Sequence, residues 1–117
     1  MKRVGKCIGF TVWLWPRIEV WFCPEDVKEH THPGQLVEVL VLWGWGSFWR
    51  VSTLTGNLEL VTVKPKTWFR WLTIPAGWAH GFHMESRWMV FVNRTSGRSP
   101  ADNLVYPDGT ARPGLGK

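Results

Sequence analysis

Residues 30–44 read His30-Thr31-His32-Pro33-Gly34-Gln35-Leu36-Val37-Glu38-Val39-Leu40-Val41-Leu42-Trp43-Gly44. Two histidines at i and i+2 share a face on an extended chain, because strand side chains alternate with period two. Pro33-Gly34 is a turn dipeptide. Leu36 to Trp43 is then a valine-rich apolar run broken only by Glu38, short enough to read as a buried strand. A second stretch, Pro75-Ala76-Gly77-Trp78-Ala79-His80, delivers another histidine behind a tight turn. His30, His32 and His80 are therefore three imidazoles that two distant strands can bring to one place.

Outward from these stretches the chain keeps reading as strand. Arg17 to Phe22 alternates, with Ile18, Val20 and Phe22 on one face and Glu19 and Trp21 on the other. Val4 to Leu14 is β-rich, and Gly9 marks a bulge or bend. Ser47–Thr53 and Leu58–Val63 read as a hairpin around Thr55-Gly56-Asn57. Thr67–Ile74, His80–Met84 and Arg87–Asn93 are further strands, and Leu104-Val105-Tyr106 is a short edge strand. No stretch keeps helical periodicity beyond two turns. About nine short strands with frequent turn signals make an all-β barrel or sandwich. The 12 glycines and 8 prolines suit such a chain, and its 10 tryptophans are expected mostly in the core or at an interface.

The 117 residues suffice for one domain. We place it at residues 1–106, with 107–117 as a flexible C-terminal tail. No apolar run is long enough for a membrane helix, and the basic start Met1-Lys2-Arg3 lacks the apolar segment and cleavage site of a secretory leader. The expected address is therefore cytoplasmic, with Cys7 and Cys23 as reduced thiols. The formal charge of +5 collects at the two ends of the chain without a dense Lys/Arg run. We read it as a solvated surface and expect neither a nucleic acid nor a membrane partner.

His30-x-His32 with Gly44 beyond, and Pro75-x-Gly77-x-x-His80, together resemble the two motifs of the cupins, over roughly residues 17 to 93. The resemblance implies a cupin-type double-stranded β-helix, or jelly-roll barrel, often dimeric. It looks most like small single-domain cupins of bacterial and phage genomes. The chain departs from the family pattern in three places. Leu36 or Val37 falls where the glutamate ligand belongs, Met84 where an asparagine often follows, and Phe69 where a leading glycine stands. What remains is a three-histidine set, His30, His32 and His80, as in thiol dioxygenases. Three neutral imidazoles suit Fe, Zn, Ni or Cu and leave positions open for a ligand. Gln35, Arg50, Arg70 and Trp78 are candidates for a substrate pocket, with Gln35, Glu38 and Thr31 as groups that orient the rings. His83, three positions after His80, points away.

Three functions compete on this reading. One is a metal-dependent enzyme of oxygenase or isomerase type acting on a small molecule. Another is a metal-free sugar-nucleotide epimerase, which needs a partner acid that only Tyr106 supplies. The third is a non-catalytic binding or structural module, associating as a homodimer through its aromatic strands.

Overall fold

In the computed structural model, residues 1–108 are described. Ten strands run in chain order: β1 (Lys2–Val4), β2 (Cys7–Leu14), β3 (Arg17–Cys23), β4 (Val27–His30), β5 (Val37–Trp43), β6 (Gly46–Val51), β7 (Leu58–Val63), β8 (Trp71–Ile74), β9 (Ala79–Met84) and β10 (Met89–Thr95). Two 3-10 turns, Pro65–Thr67 and Pro100–Asp102, complete the elements. A six-stranded sheet has the order β1-β2-β3-β10-β5-β8, and a four-stranded sheet the order β4-β9-β6-β7. Every pairing is antiparallel, and the neighbours β3/β10, β5/β10 and β4/β9 are far apart in sequence. This is the jelly-roll arrangement. No ladder joins one sheet to the other among the described residues, so the barrel is two facing sheets around a shared core.

Period-two alternation decides what enters that core. On β3 the inward set is Glu19, Trp21 and Cys23; on β5 it is Val37, Val39 and Val41; on β10 it is Met89, Phe91 and Asn93. Phe48 of β6 and Phe82 of β9 fill the opposite side. Trp21 fits because it lies on Gly9, where a Cβ would come within 2.3 Å of the indole. Gly9 is therefore a close-packing position within β2 and not a bend between strands.

Three local expectations change. The strand placed at Thr67–Ile74 begins only at Trp71. Pro65–Thr67 is a 3-10 turn, and Phe69 adopts φ 64°, a left-handed conformation that breaks any alternation through it. Leu104-Val105-Tyr106 is a single bridge, Thr31 to Val105, and not a strand. Cys7 and Cys23 are joined as a disulfide instead of standing as free thiols. They follow the Ile8/Phe22 pair on neighbouring strands, a juxtaposition set by the β2/β3 register and invisible in their spacing. Of the expected tail, Pro107 and Asp108 form a turn, and the remainder lies outside the described residues.

Candidate metal centre

The register of β4 against β9 pairs His30 directly with His80. Cross-strand partners share a face, so both rings point between the sheets. His32 lies just beyond β4. Its backbone is held by the Thr31–Val105 bridge, and its carbonyl accepts from Gln35 N and Gly77 N at 3.2 Å. That second bond ties the two histidine segments together. Ring centroids lie 4.2 Å apart for His30/His80, 4.8 Å for His30/His32 and 5.0 Å for His32/His80. One ligand nitrogen from each ring falls within 4.8 Å of the others, and all three residues are buried.

The hydrogen bonds fix which nitrogen is free. His30 Nδ1 meets Lys28 O at 2.6 Å, His32 Nδ1 meets Asn103 O at 2.7 Å, and His80 Nδ1 meets Trp78 O at 3.2 Å. A carbonyl oxygen only accepts, so each Nδ1 carries the proton and donates. Each Nε2 is left with an in-plane lone pair, and those of His30 and His32 stand 3.2 Å apart. Two lone pairs at that distance repel unless a cation or a proton lies between them. Protonation is opposed: burial holds His30 below the ordinary imidazole value. Burial, with the neighbouring His30, brings His32 down to about 3. Burial followed by both other rings places His80 well below the ordinary value. Three neutral rings with converging acceptors and backbone-anchored donors fit a divalent transition metal.

A cavity of about 90 Å³ opens beside the imidazoles, walled by side chains such as Trp21, Phe48, Phe82, Met89 and Phe91. None of Gln35, Arg50, Arg70 or Trp78 is on its wall. Gln35 donates to Arg98 O and accepts from Asn103 Nδ2, one step behind His32. Arg50 shares a register position with His80, yet its guanidinium turns to Glu59 and to the Thr73 carbonyl, above the Trp78 ring. Trp78 serves the centre through its carbonyl. Arg70 lies with Thr67 and Trp71 at a separate cleft between the β7 and β8 edges. Glu38 faces outward to Arg94, and His83 pairs with Asp26 at the surface. Thr31 contributes the backbone bridge to Val105.

Sequence reading missed the carbonyl anchors at Lys28 and Asn103, which leave no signal in residue type. It also missed Asn93, whose signal was present: a polar residue at the inward parity of an apolar strand, in line with Met89 and Phe91.

No family model matches the sequence, and no curated protein is similar to it. Solved structures are similar in fold. The capsular polysaccharide assembling protein CapF from Staphylococcus aureus matches with a TM-score of 0.64 at 17% identity, over 78% of this chain and 26% of that one. Oxalate oxidase in complex with the substrate analogue glycolate matches with a TM-score of 0.66 at 18% identity, over 86% and 54%. An uncharacterised double-stranded β-helix protein from Klebsiella pneumoniae matches with a TM-score of 0.57 at 17% identity, over 82% and 81%. The chain thus spans about a quarter of CapF and half of oxalate oxidase. What these likenesses show is the fold: a cupin-type double-stranded β-helix, here carrying a three-histidine cluster.

Proposed function

We propose that this chain is a small metal-dependent cupin that binds one divalent transition ion on His30, His32 and His80 and acts on a small molecule in the adjoining cavity. The observation that carries the reading is the convergence of three imidazoles, one ligand nitrogen from each within 4.8 Å of the others, whose Nδ1 atoms all meet backbone carbonyls. A bound ion would supply Lewis acidity or redox chemistry with positions left open for ligand, which suits oxygenase or isomerase reactions. The protein's own part is to hold the rings in one tautomer and to keep the cavity apolar.

A sugar-nucleotide epimerase is less well supported. Neither Tyr106 nor any Lys or Arg lines the cavity among the described residues, so no partner acid and no phosphate clamp faces it. Elemental analysis after reconstitution tests the metal reading. The expected result is one Fe, Zn, Ni or Cu per chain, lost in His32→Ala and His80→Ala variants that still fold. Trace metal in the reconstituted wild type refutes it.

We also propose a homodimer. β1 pairs only residues 7–9 of β2, leaving the outer edge of 10–14 without a strand partner among the described residues. Phe10, Val12, Trp13, Leu14 and Trp15 there are 42%, 57%, 60%, 69% and 78% exposed. Together they offer roughly 600 Å² of apolar surface, most of the share one partner gives to a stable interface. Two identical edges pair antiparallel about a two-fold axis, so a second copy satisfies both.

A further inference from the structure

The wall of the central cavity is almost wholly hydrocarbon. Apart from the three imidazoles, the one side chain there with a free hydrogen-bonding group is Asn93. The Trp21 indole also lines the space, and its N–H is spent on Glu19 Oε1 at 3.1 Å. Asn93 is 9% exposed, and its Oδ1 is buried with no hydrogen-bond partner. It stands on β10, between Glu19 of β3 and Val39 of β5. Glu19, the nearest inward polar group by register, is already engaged by Trp21, Thr11 and Arg17. Native interiors rarely leave such a group unanswered, and Asn93 lines the cavity, where a ligand can answer it.

The placement matters as much as the orphan. His30 and His80 belong to the four-stranded sheet and Asn93 to the six-stranded one. A molecule in the cavity therefore touches the histidine cluster on one side and Asn93 on the other. The space of about 90 Å³ holds about six to nine waters at roughly 10–15 Å³ each, enough for a small ligand. No cationic side chain lines it among the described residues, so a second negative charge on the ligand would be buried without a partner.

We infer that Asn93 is the specificity-determining residue of this cavity, selecting a small neutral or singly charged molecule with one lone pair for the metal, one N–H or O–H for Asn93 Oδ1, and hydrocarbon between. This rests on the metal reading above. Dicarboxylates and phosphates are excluded by the same wall.

Imidazole and 1-methylimidazole are suitable probes. Each has one ring lone pair, and only the first has an N–H. Calorimetric titration of the cobalt(II)-loaded chain at pH 8 should show imidazole binding about tenfold tighter than its methylated form, the usual worth of one buried hydrogen bond. In Asn93→Leu the ratio should fall to near one, with the visible cobalt spectrum before ligand addition unchanged. Malonate, a dianion of similar size, should not displace imidazole. A ratio unaltered by Asn93→Leu, or displacement by malonate, overturns the inference. A chain that takes up no cobalt overturns the metal reading instead. Asn93 is then judged on the metal-free protein: a higher thermal midpoint in Asn93→Leu marks a group kept for a ligand, and a lower one marks a structural asparagine and overturns the proposal.

Discussion

Acidifying the metal-free chain from pH 7 to pH 5 should remove about 2 kcal/mol of folding stability through His32, with His30 and His80 adding to the loss. The figure follows from the histidine cluster. In the unfolded chain each imidazole titrates near 6.5; in the folded chain burial pushes all three down, His32 to about 3. A group whose folded pKa is depressed contributes stability in full above its unfolded value, and that stability is lost as pH falls towards the folded one. Between pH 7 and pH 5 a ring that stays neutral in the fold, as His32 does, costs about 2 kcal/mol, and His30 and His80, shifted the same way, add to the loss. That is a sizeable fraction of the whole stability of a small domain. Asp26, held below its ordinary value by the Met84 amide, titrates under this window and does not contribute. Urea unfolding followed by circular dichroism at half-unit pH steps gives the slope directly. It should show the uptake of at least one proton on unfolding, and His32→Gln should reduce it by about one. A stability independent of pH across this range, or a slope that His32→Gln leaves unchanged, would refute the tautomer and burial argument together.

Gly81→Ala should cost roughly 2–3 kcal/mol in a urea melt and weaken zinc binding, because the new Cβ would sit 2.5 Å from the Trp49 ring beside the strand residue His80. Replacing both Cys7 and Cys23 by serine should lower stability by about 3 kcal/mol, the loop-closure value for a separation of 16 residues, and thiol labelling of the native chain should find no free sulfhydryl. Trp13→Ser with Trp15→Ser should convert a dimer in analytical ultracentrifugation to a monomer while leaving metal content unchanged; a wild type that sediments as a monomer at 100 μM (roughly a hundredfold above a micromolar Kd) removes the dimer proposal.

Much of the frame was legible because strand alternation is a local rule. His30 and His32 declared themselves by spacing, and His80 by its turn: Gly77 has φ 80°, and Trp78 N closes on Pro75 O at 3.1 Å. The inward parity of β3 could not be chosen from the sequence, since Ile18, Val20 and Phe22 look more like core than Glu19 and Trp21. The structure buries the latter pair because Trp21 Nε1 and Glu19 satisfy each other. The arginines misled for a similar reason. Residue type suggested an anion site, whereas Arg50 found Glu59 nearby on β7. Contacts such as His32 Nδ1 to Asn103 O span 71 positions and depend on register, which no local pattern encodes.

The segment after β10 gives the chain's end an unexpected authority over its middle. Asn103 supplies the carbonyl that orients His32, Val105 clasps Thr31, and the Asn103 amide braces Pro33 O. A version shortened to residue 98 would keep all ten strands and every histidine, yet one of its three jaws would swing free. Anyone trimming this protein to its sheets for engineering would discard the latch along with the trailing residues.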